Sequence, residues 1–255
     1  MSFAIYPSLK GRVVFITGGA TGIGADIVRA FARNGAQVGC VDRQREAGSA
    51  LAAEIAATGA PQPMFLPCDV VDIPALRESI AQVRATLGPI GVLINNAAND
   101  QRQAVADVTV ESWDSSQNVN LRHHFFAAQA VHPQMRELGH GSIVNLSSIA
   151  WRAGAGEMAA YAAAKAGIVG LTFALAKAFG ADNIRVNAIE PGAVMTQRQR
   201  ELWYKTEASV DAMVQRQVLK SVLLGEEIAH AALFLAADDS RMITKQTITV
   251  DAGIR

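Results

Sequence analysis

Cysteine is nearly absent: Cys40 and Cys68 are the only two in 255 residues, and both fall in segments that read as core strands. Two thiols without metal-ligand spacing argue against a disulfide scaffold and a thiolate metal centre, so no metal is expected, and they fit a reducing, cytoplasmic setting. A net charge is lacking too. Lys+Arg and Asp+Glu number 23 each, so no field of one sign suggests a nucleic acid or a membrane surface as partner. No apolar run approaches the roughly 20 residues needed to cross a bilayer. The opening M-S-F-A-I-Y-P-S-L-K lacks a basic stretch followed by an apolar one, so no secretory signal is expected. Internal repeats, low-complexity tracts and linkers are missing as well.

What is present is a large apolar fraction in strict alternation. Half of the residues are hydrophobic, and the length fits one α/β domain over 1–255. Short apolar strands are predicted at 12–17, 37–42, 64–68, 92–95, 142–146, 184–189 and 247–250. Helical periodicity falls near 23–34, 44–57, 73–87, 111–137, 159–180 and 226–236. Such alternation predicts right-handed crossovers and a single-domain α/β Rossmann fold. Its doubly wound, seven-stranded parallel sheet would carry helices on both faces. Ligands then bind at the carboxyl ends of the strands, where Asp42, Asp69, Asn95, Ser148 and Pro191 all fall.

Two local patterns carry chemistry. After the first strand comes T-G-G-A-T-G-I-G and then a helix, the opening half of a βαβ unit. Gly18 allows the tight turn, Gly22 lets the backbone approach a pyrophosphate, and Gly24 lets the helix pack close. The helix amino terminus offers unpaired N–H groups to phosphates. Asp42 closes the second strand about 20 residues on, the place of a carboxylate that binds the adenine ribose diol. It would repel a 2′-phosphate, which favours NAD over NADP, although Arg43 beside it would stack on adenine or tolerate a phosphate. The second pattern is Y-A-A-A-K. Tyr161 and Lys165 share a helix face, and a cation there is expected to lower the phenol pKa from about 10 toward the working pH. That would make the tyrosine a general acid/base.

With T-G-G-A-T-G-I-G, N-N-A-A at 95–98, Asn120, Ser148, Y-A-A-A-K and P-G-A-V-M-T at 191–196 in this order, the chain resembles the short-chain dehydrogenases/reductases over essentially its whole length. The family usually has N-N-A-G where this chain has Ala98, a methyl that would reshape the nicotinamide floor slightly. The resemblance implies Tyr161 as acid/base and Lys165 as the group that lowers its pKa and binds the nicotinamide ribose. It implies that Ser148 holds the substrate oxygen, with Ser147 as its rival, and that Asn120 anchors a water in a proton relay. Thr21 and Ile23 would belong to the pyrophosphate turn, and Asp69 and Val70 would touch adenine. Asn96 and Ala97 would line the adenosine ribose side. Pro191, Gly192, Val194 and Thr196 would hold the nicotinamide.

Closer still, A-I-Y-P-S-L-K-G-R-V-V, N-N-A-A-N-D-Q-R, N-V-N-L-R-H-H-F-F and Q-R-Q-R-E-L-W-Y look like bacterial NAD-dependent aldose 1-dehydrogenases. That implies a small polyhydroxylated substrate oxidised to a lactone. Asn99, Ser148, Trp151, Gln197 and Trp203 are its candidate contacts, with Asp100, Gln101, Arg102 and Glu157 nearby. The polar segment 197–222 would fold over it as a lid. A polyol dehydrogenase, a 3-oxoacyl or ketone reductase, and an inactive dinucleotide-binding regulatory protein are the alternatives. Apolar surface on 111–137 and 159–180, together with the family's habit of pairing these helices and the 247–255 strand, implies a homotetramer.

Overall fold

Runs such as Val13–Thr17 (β1) and Gln37–Asp42 (β2) are almost wholly apolar rather than alternating, because both of their faces are covered. Together with Met64–Pro67 (β3), Val92–Asn95 (β4), Gly141–Leu146 (β5), Ile184–Pro191 (β6) and Thr247–Val250 (β7) they form one sheet of order β3-β2-β1-β4-β5-β6-β7. Every pairing is parallel. The computed structural model describes residues 3–254. The two ends of the expected 1–255 domain, including Arg255 of the carboxyl-terminal segment, lie outside the described residues.

Helices cover both faces. Gly22–Arg33 (α1), Arg45–Ala57 (α2) and Gly225–Ala236 (α10) pack on one core, centred on Ile16, Phe31 and Ile94. Ile73–Leu87 (α3), His123–Leu138 (α5) and Ala159–Phe179 (α7) pack on the other, around Phe15, Leu93 and Met135. The strand order turns back between β1 and β4, and a crevice opens there at the carboxyl edge.

Two sequence expectations change, and the segment 197–222, expected to be partly helical, takes a definite form. The helix expected over 111–137 is two helices, Val110–Gln117 (α4) and α5, joined by a π-helical turn at Asn118–Arg122. One extra residue per turn leaves an average 3.6 periodicity almost untouched, so the break was hidden. The 197–222 segment holds two short helices, Gln197–Leu202 (α8) and Glu207–Gln215 (α9), followed by irregular chain. Finally, Gly156–Asp182 is long and apolar enough to cross a membrane by length and composition. Its middle nevertheless packs on the sheet, with Lys165, Ile168, Thr172 and Leu175 buried.

The turn after β1 needs its glycines for contact reasons. Gly18 sits at φ 68°, and a Cβ there would lie 2.7 Å from the Ala97 Cα. At Gly24 a Cβ would fall 1.8 Å from the Gly18 carbonyl oxygen, because the first turn of α1 folds back onto its own approach. Gly24→Ala should therefore push the turn open and destabilise the protein by about 1–3 kcal/mol, as overpacking does. Thermal unfolding several degrees lower, with weaker dinucleotide binding, is the expected outcome; an unchanged melting temperature would contradict it.

Candidate active site

A cleft of about 950 Å³ runs along the carboxyl edge of the sheet. Gly18, Thr21, Gly22, Ile23, Gly24, Asp42, Arg43, Asp69, Val70, Asn96 and Ala97 line its β1–β2–β4 half. Ser148, Tyr161, Lys165, Pro191, Gly192, Val194 and Thr196 line the other half, with Asn99 and Gln197 at the mouth. Residues spread over 180 positions of sequence thus meet at one surface.

The β1 half suits a dinucleotide. Thr21 precedes α1 without capping it through its side chain, so the first N–H groups of the helix stay available to an anion in the cleft. Its hydroxyl accepts from Gln44 Nε2 at 3.1 Å instead. Asp42 is almost fully buried. One carboxylate oxygen accepts from Ala20 N at 3.1 Å and the other from Gln44 N at 3.0 Å, which fixes the acidic end of β2 beside the glycine turn. Asn96 does more than line a wall: its Nδ2 donates to the carbonyls of Thr17 and Gly18, and Thr17 Oγ1 accepts from the amides of Asn96 and Ala97. The N-N-A-A segment is therefore a strap that ties β4 to the glycine turn.

The other half carries the tyrosine and lysine. Lys165 is buried and donates from Nζ to the Leu146 carbonyl at 2.7 Å. Its own carbonyl accepts from Ser147 Oγ, also at 2.7 Å. Ser147 is thus occupied, and Ser148 is the serine that hydrogen-bonds the Tyr161 phenol. Burial pushes the Tyr161 pKa up, the Ser148 hydrogen bond opposes this, and the Asp100 charge adds to the rise. Burial also pulls Lys165 down to about 7, against the pull of Asp100. This corrects the sequence expectation of a phenol lowered by its neighbour. Lys165 Nζ lies 5.4 Å from the Tyr161 ring centroid, and an ammonium that is itself half-titrated near neutrality offers the phenol little.

Three expected site residues lie off the cleft wall. Asn120 is buried in the π turn, where its amide is bound to both backbone groups of Asn99, accepting from N at 2.8 Å and donating to O at 3.1 Å. Trp151 does not face a sugar: its Nε1 donates to the fully buried Glu190 at 2.7 Å, and Arg152 stacks over the ring at 4.1 Å while bonding the same carboxylate. The face of Trp203 is covered by the Arg102 guanidinium at 4.1 Å. Gln44, Met158 and Met213 line the cleft without having been singled out in the sequence, since none belongs to a motif, and Tyr204 from the Q-R-Q-R-E-L-W-Y segment joins them.

Next to Tyr161 a smaller cavity of about 150 Å³ opens among Asn99, Gln101, Gln103, Ser112, Ser115, Ser116 and Glu157. Val108, Val119, Met158, Ala159 and Ala160 supply the apolar part of its lining. Among the described residues no group of three or more His, Cys, Asp or Glu is placed to hold a metal ion.

Comparison with known proteins agrees with this geometry. Residues 18–255 match the short-chain dehydrogenase family described as enoyl-(acyl carrier protein) reductase. The chain is 49% identical, over 98% of its length and 97% of the relative's, to "Probable galactose dehydrogenase GalD" of Rhizobium meliloti strain 1021. It is 46% identical to D-xylose 1-dehydrogenase of Caulobacter vibrioides, with both chains covered completely. A blue fluorescent protein from a metagenomic library, solved with NADPH, superposes with a TM-score of 0.88 at 33% identity, covering 97% of this chain and 99% of that one. The chain belongs to the short-chain dehydrogenase/reductase family. It is an oxidoreductase acting on CH–OH groups with a nicotinamide dinucleotide, and the tight side-chain-free glycine turn, uncapped α1 and buried Asp42 fit that cofactor.

A buried polar seam underlies the cleft. His123 and His124 are both inaccessible, their ring centroids 4.4 Å apart. His123 Nε2 meets the Ala97 carbonyl at 3.1 Å, and Asn95 Nδ2 donates to Asn145 Oδ1 at 2.9 Å. Burial holds the His123 pKa down to about 3 and that of His124 well below its usual value, with Lys165 adding to both. Below pH 6.5 the unfolded chain takes up protons that the folded seam refuses. Stability should fall as pH drops from 6.5, by about 1.4 kcal/mol per pH unit for each histidine. Denaturant midpoints at pH 7 and pH 5 measure this, and the drop should shrink in His124→Asn; an equal drop in both proteins would contradict it.

Proposed function

We propose that the protein is an NAD-dependent aldose 1-dehydrogenase that oxidises the anomeric hydroxyl of a pentose or hexose to a lactone. The observation that carries this is the mixed cavity beside Tyr161, where side-chain amides, serine hydroxyls and Glu157 sit within reach of a ring of hydroxyls while apolar residues cover the remainder. Sites built to bond hydroxyls discriminate strongly against ligands that lack them, because their own polar groups are then left unpaired. The names of the two sugar-dehydrogenase relatives support the same choice.

In this account Tyr161 takes the proton of the substrate hydroxyl at Oη, and Ser148, already bonded to that phenol, orients the substrate oxygen. Lys165, held to Leu146, binds the nicotinamide ribose. Asn120 supports the site from below by fixing Asn99. Thr21, Gly22 and Ile23 hold the pyrophosphate, Asp69 and Val70 the adenine, and Pro191, Gly192, Val194 and Thr196 the nicotinamide. When bound, the dinucleotide accepts the carbinol hydride. Asp42 favours NAD, since a 2′-phosphate would face a buried carboxylate; Arg43, exposed next to it, is the one group that would receive such a phosphate. The 197–222 segment acts as a lid. A homotetramer in the cytoplasm completes the proposal, supported by Trp113 on α4, Phe125 on α5 and Phe173 on α7, all partly exposed.

Tyr161→Phe should still bind dinucleotide but lose turnover by about 10²–10⁴-fold, the range of a positioned acid/base. Steady-state rates across aldoses, polyols and simple secondary alcohols with NAD and NADP test the substrate. Aldoses with NAD should lead; equal turnover of a hydrophobic secondary alcohol would refute the sugar assignment. Light scattering at micromolar concentration should show a tetramer, and a stable monomer would remove that part.

A further inference from the structure

Two segments 98 residues apart in sequence meet at the cleft that Tyr161 and Lys165 line. The Asp100 carboxylate accepts from Arg198 Nε at 3.2 Å and from Gln199 Nε2. Arg198 Nη2 also donates to Asn99 Oδ1 at 3.1 Å. Two residues on, Arg102 stacks over Trp203, just past the end of α8. The 99–102 side is anchored from beneath, since Asn120 holds both backbone groups of Asn99. No comparable anchor ties α8 to the sheet among the hydrogen bonds that leave its side chains: Gln197 Nε2 donates to Glu201 and Arg200 Nη1 to Glu207, both within the 197–222 segment.

We propose that Asp100 is a positioning residue that couples closure of α8 over the cleft to the readiness of Tyr161 to accept a proton. The inference rests on the role given to Tyr161 and Lys165 above. Asp100 lines the cleft and its side chain is only 19% exposed. The charged and titratable groups facing it are Arg198 from α8, Tyr161 and Lys165 from α7, and Arg102 on its own loop; Glu201 lines the same cleft from α8. Its negative charge makes the phenol harder to ionise and the ammonium easier to keep. With α8 closed, Arg198 pairs with that charge and offsets part of it. With α8 lifted, the carboxylate stands bare and the phenol is harder still to ionise. Closure of α8 over the substrate thus moves the tyrosine toward the base form, against the larger effect of burial.

Three variants separate this from a structural role: D100N removes the charge, R198Q removes its neutraliser, and D100E keeps both. Hydrogen exchange over 197–204 in the protein without substrate reads the latch. It should quicken in D100N and R198Q and stay near native in D100E. The acid limb of kcat/KM, measured with NAD and D-galactose or D-xylose, reads the coupling. It should move to lower pH in D100N and to higher pH in R198Q, by roughly half a pH unit each, with D100E near native. KM for the sugar should rise several-fold in both D100N and R198Q. Unchanged exchange in both variants overturns the latch, and pH limbs that move the same way overturn the coupling. Failure of the native protein to oxidise any aldose counts against the proposed substrate alone, because the exchange measurement still decides the latch.

Discussion

Lys165 is gripped at both of its ends by the terminus of β5, its ammonium by the Leu146 carbonyl and its own carbonyl by the Ser147 hydroxyl. The rest of the site follows from this grip. It fixes the register of α7 against the sheet, so Tyr161, one helical turn earlier, arrives beside Ser148. It also occupies Ser147 and leaves its neighbour to face the cleft. A lysine buried this deeply is tolerated because its donor is spent on a carbonyl and its charge is partly given up, with the pKa drawn down to about 7 by burial.

The same burial has a cost that the fold meets by layering polar groups. Beneath the tyrosine and lysine lie His123, His124, Asn95, Asn145 and Thr172, bonded to one another and to backbone, with Asn145 Nδ2 donating to Thr172 Oγ1 at 3.0 Å. Beside them Asn120 and Asn99 form a second layer, and above them Asp100 meets Arg198. Of these layers only the last places a charge that acts on the phenol. Neutral histidines add no charge of their own, whereas Asp100 raises both titrating partners. Burial first and the Asp100 charge second favour the protonated phenol, and the positive ring of an oxidised nicotinamide would pull the other way, as pairing of Asp100 with Arg198 does.

All seven strands were legible because each is a short apolar run bounded by glycine or polar turns, and a doubly covered parallel sheet demands that pattern. The glycine turn at the β1 half of the cleft was legible for a related reason: its requirements are local, as with Gly24, where any side chain would meet the Gly18 carbonyl. What the sequence hid was long-range pairing. Nothing local shows that Trp151 serves Glu190, that Trp203 lies under Arg102, or that Asp100 meets Arg198. The π turn at Asn118–Arg122 was invisible as well, since a single extra residue barely disturbs helical spacing. The direction of the Tyr161 shift was misjudged because i and i+4 neighbours on a helix face were credited with a Coulomb effect, while the cost of burying both groups does not appear in a spacing.

The most direct measurement is a titration of Tyr161 by NMR of ζ-carbon-labelled tyrosine, practicable because the chain has three tyrosines. The protein alone should show this phenol ionising above the ordinary value near 10, and saturating NAD should bring it down as positive charge enters beside it. A resonance that titrates normally in the free protein, or one indifferent to NAD, would mean that the phenol is not the group on which the chemistry turns.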